Sequence, residues 1–111
     1  MIKVYIASPY TLGDTAVNVK KQIDTANALI KMGYAPYAPL LCHFQHLIHP
    51  QDYEVWTIQT MEWLKCCDVV LRLSGRSAGA DNEVMMAKKL EIPVVVSIDD
   101  LLSTLIVERR K

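Results

Sequence analysis

The chain has 111 residues, about half of them hydrophobic, and its 12 Lys and Arg balance its 12 Asp and Glu. That length builds one domain, residues 1–111, with a modest core, and the apolar content excludes a disordered chain. A net charge of zero, with the only basic cluster at "ERRK" (108–111), argues against a nucleic-acid polymer as partner; no apolar run nears the ~20 residues of a membrane span, so no membrane partner is expected.

"MIKVYIASPY" is too short in its apolar part for a signal peptide, and the expected location is cytoplasmic. "IKVYIA" (2–7) is β-branched and aromatic and reads as a strand. "SPYTLGD" (8–14) follows as a loop, broken by Pro9 and Gly13, with Asp14 or Thr15 placed to cap a helix. From Thr15 to Met32 the apolar residues Val19, Ile23, Ala26 and Ile30 recur at helical spacing, and Gly33 stands where a helix stops. "YAPYAPL" (34–40), with Pro36 and Pro39, reads as an edge strand running into a loop. "LCHFQHLIHPQDY" (41–53) is a polar-aromatic connector with room for one helical turn. From Gln51 to Cys66, Val55, Ile58, Trp63 and Leu64 mark a second helix, with Trp56, Met61 and Trp63 as core candidates. "DVVLRL" (68–73) is a buried-type strand, "SGRSAGA" (74–80) a loop, residues 80–91 a third helix and "IPVVVSI" (92–98) another buried strand. "DDLLSTLIVERR" closes the chain as a helix, with Asp99 and Asp100 favouring its N-terminus and Arg109 and Arg110 its C-terminus.

Strand and helix alternate throughout. That order predicts an α/β fold, a three-layer αβα sandwich around a Rossmann- or flavodoxin-like parallel sheet of four to five strands. In such folds ligands bind beyond the carboxyl ends of the strands, where the strand order switches. Three loops leave those ends: "ASPYT", "APLLCHF" and "SGRSAGADN". Candidate substrate contacts are Ser8, Pro9 and Tyr10 in the first, His43 in the second, and Ser77, Gly79 and Asn82 in the third.

The third loop has two readings. Gly75 and Gly79 let the backbone approach a ligand, with free helix amides and the Ser77 hydroxyl turned to a phosphate or sugar. Alternatively, Ser77 or Asp81 caps the helix and the glycines only make the turn. Glu83 is more informative. On a helical wheel it falls inside the apolar arc of Ala80, Val84, Met86, Ala87 and Leu90, while Lys88 and Lys89 hold the solvent face. A carboxylate aimed at the sheet needs a partner or a purpose, and a partly dry one is a credible nucleophile or general base; the competing reading is a capping glutamate. Tyr5, on the first strand, is either a core aromatic or a hydroxyl within reach of Glu83, and Tyr10 could cover a ligand ring. His43, His46 and His49 stand three apart, which splays helical side chains over about 120°. With an odd cysteine count and no Cys-x-x-Cys, neither a metal nor any other cofactor is expected.

The chain resembles the nucleoside 2-deoxyribosyltransferase superfamily, which includes the 2′-deoxynucleoside 5′-phosphate N-hydrolases, and is most similar to its short, uncharacterised bacterial and phage members. The resemblance rests on "YIASPYT", "MEWLKCCDVVLRL" and "SAGADNEVMMAKKLEIPVV", above all on Ser-x-Gly-x-x-x-Glu from Ser77 to Glu83. It implies that Glu83 attacks C1′ of the sugar, that Tyr5 orients it, and that Ser77 contacts a 5′-phosphate. It also implies a nucleotide or nucleoside partner and a homodimer or larger homo-oligomer. The chain departs from the pattern at Thr60, where the resemblance implies an aspartate that assists the leaving base. Asp81 and His43 are the candidate replacements. A non-catalytic nucleotide-binding module and a glycohydrolase acting on a dinucleotide such as NAD are the alternatives.

Overall fold

A computed structural model describes residues 1–109. β1 (Lys3–Ala7) has every residue after Lys3 buried. α1 (Thr15–Lys31) opens on Asp14, whose Oδ1 accepts the Val17 N–H at 3.1 Å, and ends at Gly33, whose φ of 92° lies in the left-handed region that favours glycine. β2 (Ala35–Tyr37) runs into a 3₁₀ turn (Pro39–Leu41), then α2 (Cys42–Ile48) and α3 (Tyr53–Leu64). β3 (Val69–Arg72), α4 (Ala78–Lys89), β4 (Val94–Val95) and α5 (Ile98–Ser103) complete the order.

All pairings are parallel and the strand order is β2-β1-β3-β4. The chain moves from β1 to β2 in one direction and from β3 to β4 in the other. Crossovers of the same hand then put their helices on opposite faces of the sheet. Accordingly Leu29 of α1 and Leu101 of α5 pack on Val4, Ile6, Val69 and Leu71. Leu64 of α3, with Ala80 and Ala87 of α4, packs on Tyr5, Ala7 and Val70. The expected αβα sandwich forms, with four strands. Among the described residues no helix is long and apolar enough to cross a membrane.

Several expectations change. The buried stripe of α1 is Val19, Gln22 and Leu29, and Ile30 is 60% exposed; a polar residue at a core position disguised the stripe. The connector holds a seven-residue helix, α2, with no buried residue. In α3 the core residue is Leu64, whereas Trp63 is 55% exposed and Trp56 half-buried. The closing helix stops at Ser103. Thr104 is extended, and β-branched Thr104, Ile106 and Val107 follow, which favour extended backbone. Asp68, almost fully buried, then anchors the tail: its carboxylate accepts the N–H groups of Lys3 at 2.7 Å and Arg109 at 2.6 Å. The Arg109 guanidinium donates to the carbonyls of Lys65 and Cys67, serving the end of α3 rather than its own helix. Arg110 lies outside the described residues. β4 is also shorter than expected, because Ser97 leaves the strand to cap α5 through the Asp100 N–H.

Candidate active site

The strand order switches between β1 and β3, so the loops leaving these strands part there and open a crevice. Their near ends are tied together. Gly75 has a φ of 120°, and a Cβ on it would lie 2.7 Å from Cγ of Pro9, so only glycine lets the two loops close up. The Arg72 guanidinium braces the third loop from within. It donates to the carbonyls of Leu73 and Gly75 and pairs with Asp81 at 3.0 Å.

α4 starts at Ala78, two residues earlier than its apolar pattern suggests, because Ser77 is the cap: its hydroxyl accepts the Ala80 N–H at 3.0 Å. Glu83 therefore sits in the second turn, where the helix dipole has less hold on it. The small side chains Ala80 and Ala87 bring α4 close against the sheet, and the Tyr5 hydroxyl donates to Glu83 Oε2. Burial pushes the Glu83 carboxyl up to about 7, opposed by the Tyr5 hydrogen bond and the Arg72 charge. Tyr5 is fully buried, and its phenol is pushed up by that burial and then by Glu83.

Above Glu83 opens a cavity of about 410 Å³. Ser8 lies at the end of β1, and Ser77, Gly79 and Asn82 come from the start of α4. Tyr10, Tyr53, Trp56 and Thr60 supply the aromatic and hydroxyl walls. Gln22 reaches the cavity from α1 with no exposed surface. Its amide nitrogen donates to Ser8 Oγ at 2.8 Å and to the Ile6 carbonyl at 3.2 Å, and its amide oxygen accepts the Leu40 N–H at 2.8 Å. One side chain thus fixes β1, the first loop and the 3₁₀ turn. A second hollow of about 290 Å³ lies between α2 and α3 and shares Cys42, Trp56 and Thr60 with the first.

Of the expected site residues, Ser8, Tyr10, Ser77, Gly79, Asn82 and Glu83 line the cavity, and Tyr5 bonds Glu83. The structure does not bring Pro9, His43 or Asp81 to its wall. Pro9 packs on Gly75, and Asp81 turns outward to Arg72. His43 is one shell removed, its Nδ1 hydrogen-bonded to the Tyr10 hydroxyl at 2.7 Å. Sequence reasoning missed Gln22, Cys42 and Tyr53. Gln22 could have been found as the polar member of an otherwise apolar stripe. Tyr53 has no such signal: its hydroxyl sits 2.9 Å from where a Cβ on Gly79 would be, a contact made only in three dimensions.

The sequence profile of the family described as "Domain of unknown function (DUF7768)" matches residues 2–97. The chain belongs to this family. No curated protein matches it. Among solved structures, the chain is similar to a 2-deoxyribosyltransferase from the psychrotolerant bacterium Bacillus psychrosaccharolyticus, with a TM-score of 0.62. Identity is 20% over 83% of this chain and 69% of that one, so the likeness is one of fold.

Proposed function

We propose that this DUF7768 domain is a cytoplasmic enzyme of the nucleoside 2-deoxyribosyltransferase superfamily, an N-glycosidase or N-glycosyltransferase acting on a nucleoside 5′-monophosphate. The observation that carries the reading is the Tyr5–Glu83 pair beneath the cavity at the switch point. A carboxylate held partly dry and oriented by a buried hydroxyl suits attack on C1′, which splits glycosidic cleavage into two displacements with a glycosyl-enzyme between them. The Ser77 hydroxyl accepts from Ala80 N–H, leaving its own proton to donate to a phosphate beside the free amides at the start of α4. Asn82 and Tyr10 complete the sugar and base contacts. The solved transferase with the same fold adds support to this class of chemistry.

The test is base release from deoxy- and ribonucleoside 5′-monophosphates, followed by chromatography. Glu83→Gln, which keeps shape and removes the nucleophile, should lower the rate by at least ~1,000-fold while ligand affinity stays within a few-fold. Full activity in that variant sinks the mechanism. Thr60 favours a second reading, a module that binds nucleotides without turning them over; binding without release across the whole panel would support it.

A further inference from the structure

Breaking the bond between C1′ and a base nitrogen leaves that nitrogen with an extra electron pair. Either a proton must reach the base, or the base must carry a positive charge beforehand. Among the described residues lining the cavity, Glu83 is the one carboxyl group, and the reaction uses it as nucleophile. Thr60 has no acidic proton to give, and its hydroxyl donates to the Thr57 carbonyl at 3.2 Å. Burial pushes the Cys42 thiol and the Tyr10 phenol up, making both poorer acids. Asp81 and His43 are off the wall. Among the described residues the lining holds no Lys, Arg or His; Arg72, whose charge favours the Glu83 carboxylate, stands off the wall paired with Asp81, and three aromatic rings, Tyr10, Tyr53 and Trp56, share the cavity with Glu83. An anion among aromatic faces is complementary to a flat cation.

We propose that the substrate is a 5′-phosphorylated N-glycoside whose base is a cationic heteroaromatic ring, a pyridinium or an N7-alkylated purine, which departs neutral and needs no acid. This rests on Glu83 acting as the nucleophile. A Glu83 oxygen bonds to C1′ as the C1′–N bond breaks, and the electron pair of that bond cancels the ring's positive charge. Water then adds to C1′ as the glycosyl ester breaks. The products are the sugar phosphate, the free Glu83 carboxylate and one proton released to solvent.

The experiment compares nicotinamide mononucleotide and 7-methylguanosine 5′-monophosphate with guanosine, deoxyguanosine and deoxycytidine 5′-monophosphates, using the full chain and Glu83→Gln as control. The expected result is a kcat/KM at least ~100-fold higher for one or both cationic compounds, lost in the control; which of the two is cleaved identifies the ring. Comparable, Glu83-dependent release of neutral bases overturns the proposal and leaves the glycosidase reading standing. No release from any compound overturns both.

Discussion

At the residue scale the site depends on one carboxyl group whose environment works against its charge. Burial raises Glu83 to about 7, and only the Tyr5 hydroxyl and the Arg72 charge pull the other way. The proposed attack on C1′ requires Glu83 to be ionised. Protonation below its pKa removes the nucleophile, so kcat/KM should climb with unit slope as pH rises towards about 7 and level off above it. Tyr5→Phe deletes a hydrogen bond that favours the carboxylate, so the same limb should move to higher pH, with kcat/KM at neutral pH down about 10- to 100-fold. A pH–rate profile of both proteins checks this. A limb that stays in place in Tyr5→Phe would show that the hydroxyl does not tune Glu83. The inward aim of Glu83 was legible from the helical wheel, because Lys88 and Lys89 mark the opposite face. The outward turn of Asp81 was not: it depends on Arg72, nine residues earlier in the chain and brought close only by the strand–loop–helix turn.

At the element scale, legibility follows how local the determining forces are. β1, β3, the Asp14 and Gly33 ends of α1 and the whole layer order could be read from apolar runs and turn residues. α2 could not, because none of its residues is buried and it carries no core stripe. The end of α5 was also hidden, since its tail answers to Asp68, far away in the chain. Gln22 shows the same limit with a functional consequence. It breaks the apolar period of α1 because it is the polar tie between α1, β1 and the wall of the cavity. Gln22→Leu keeps volume but strands the Leu40 N–H and the Ile6 carbonyl in a dry place. The expected cost is about 2–4 kcal/mol, seen as a lower urea midpoint at unchanged slope. Freed from its anchor, Ser8 should also bind substrate less well, raising KM more than it lowers kcat. A variant as stable as the parent would mean that water replaces the amide.

At the scale of the whole molecule, apolar surface is unevenly spent. The sheet buries its apolar residues on both faces, yet α2, and α3 outside Leu64, Trp56 and Met61, leave large apolar side chains in solvent. Phe44, Leu47 and Ile48 on α2, with Tyr53, Ile58 and Trp63 on α3, are each half or more exposed, Ile48 at 75%. These helices also bound both hollows, through Cys42, Trp56 and Thr60. Large apolar side chains concentrated on two neighbouring elements are the usual mark of an interface. We infer that a second copy of the chain covers them. A standard interface takes about 800 Å² from each partner. That is a modest share of the 7007 Å² this chain exposes. Sedimentation should therefore give a homodimer or larger assembly rather than the 12.5 kDa monomer. Replacing Phe44 and Ile48 together by Glu puts charge on side chains that touch no core, so the variant should keep its circular dichroism while sedimenting as a monomer. A parent chain that is itself monomeric at high concentration would overturn the inference.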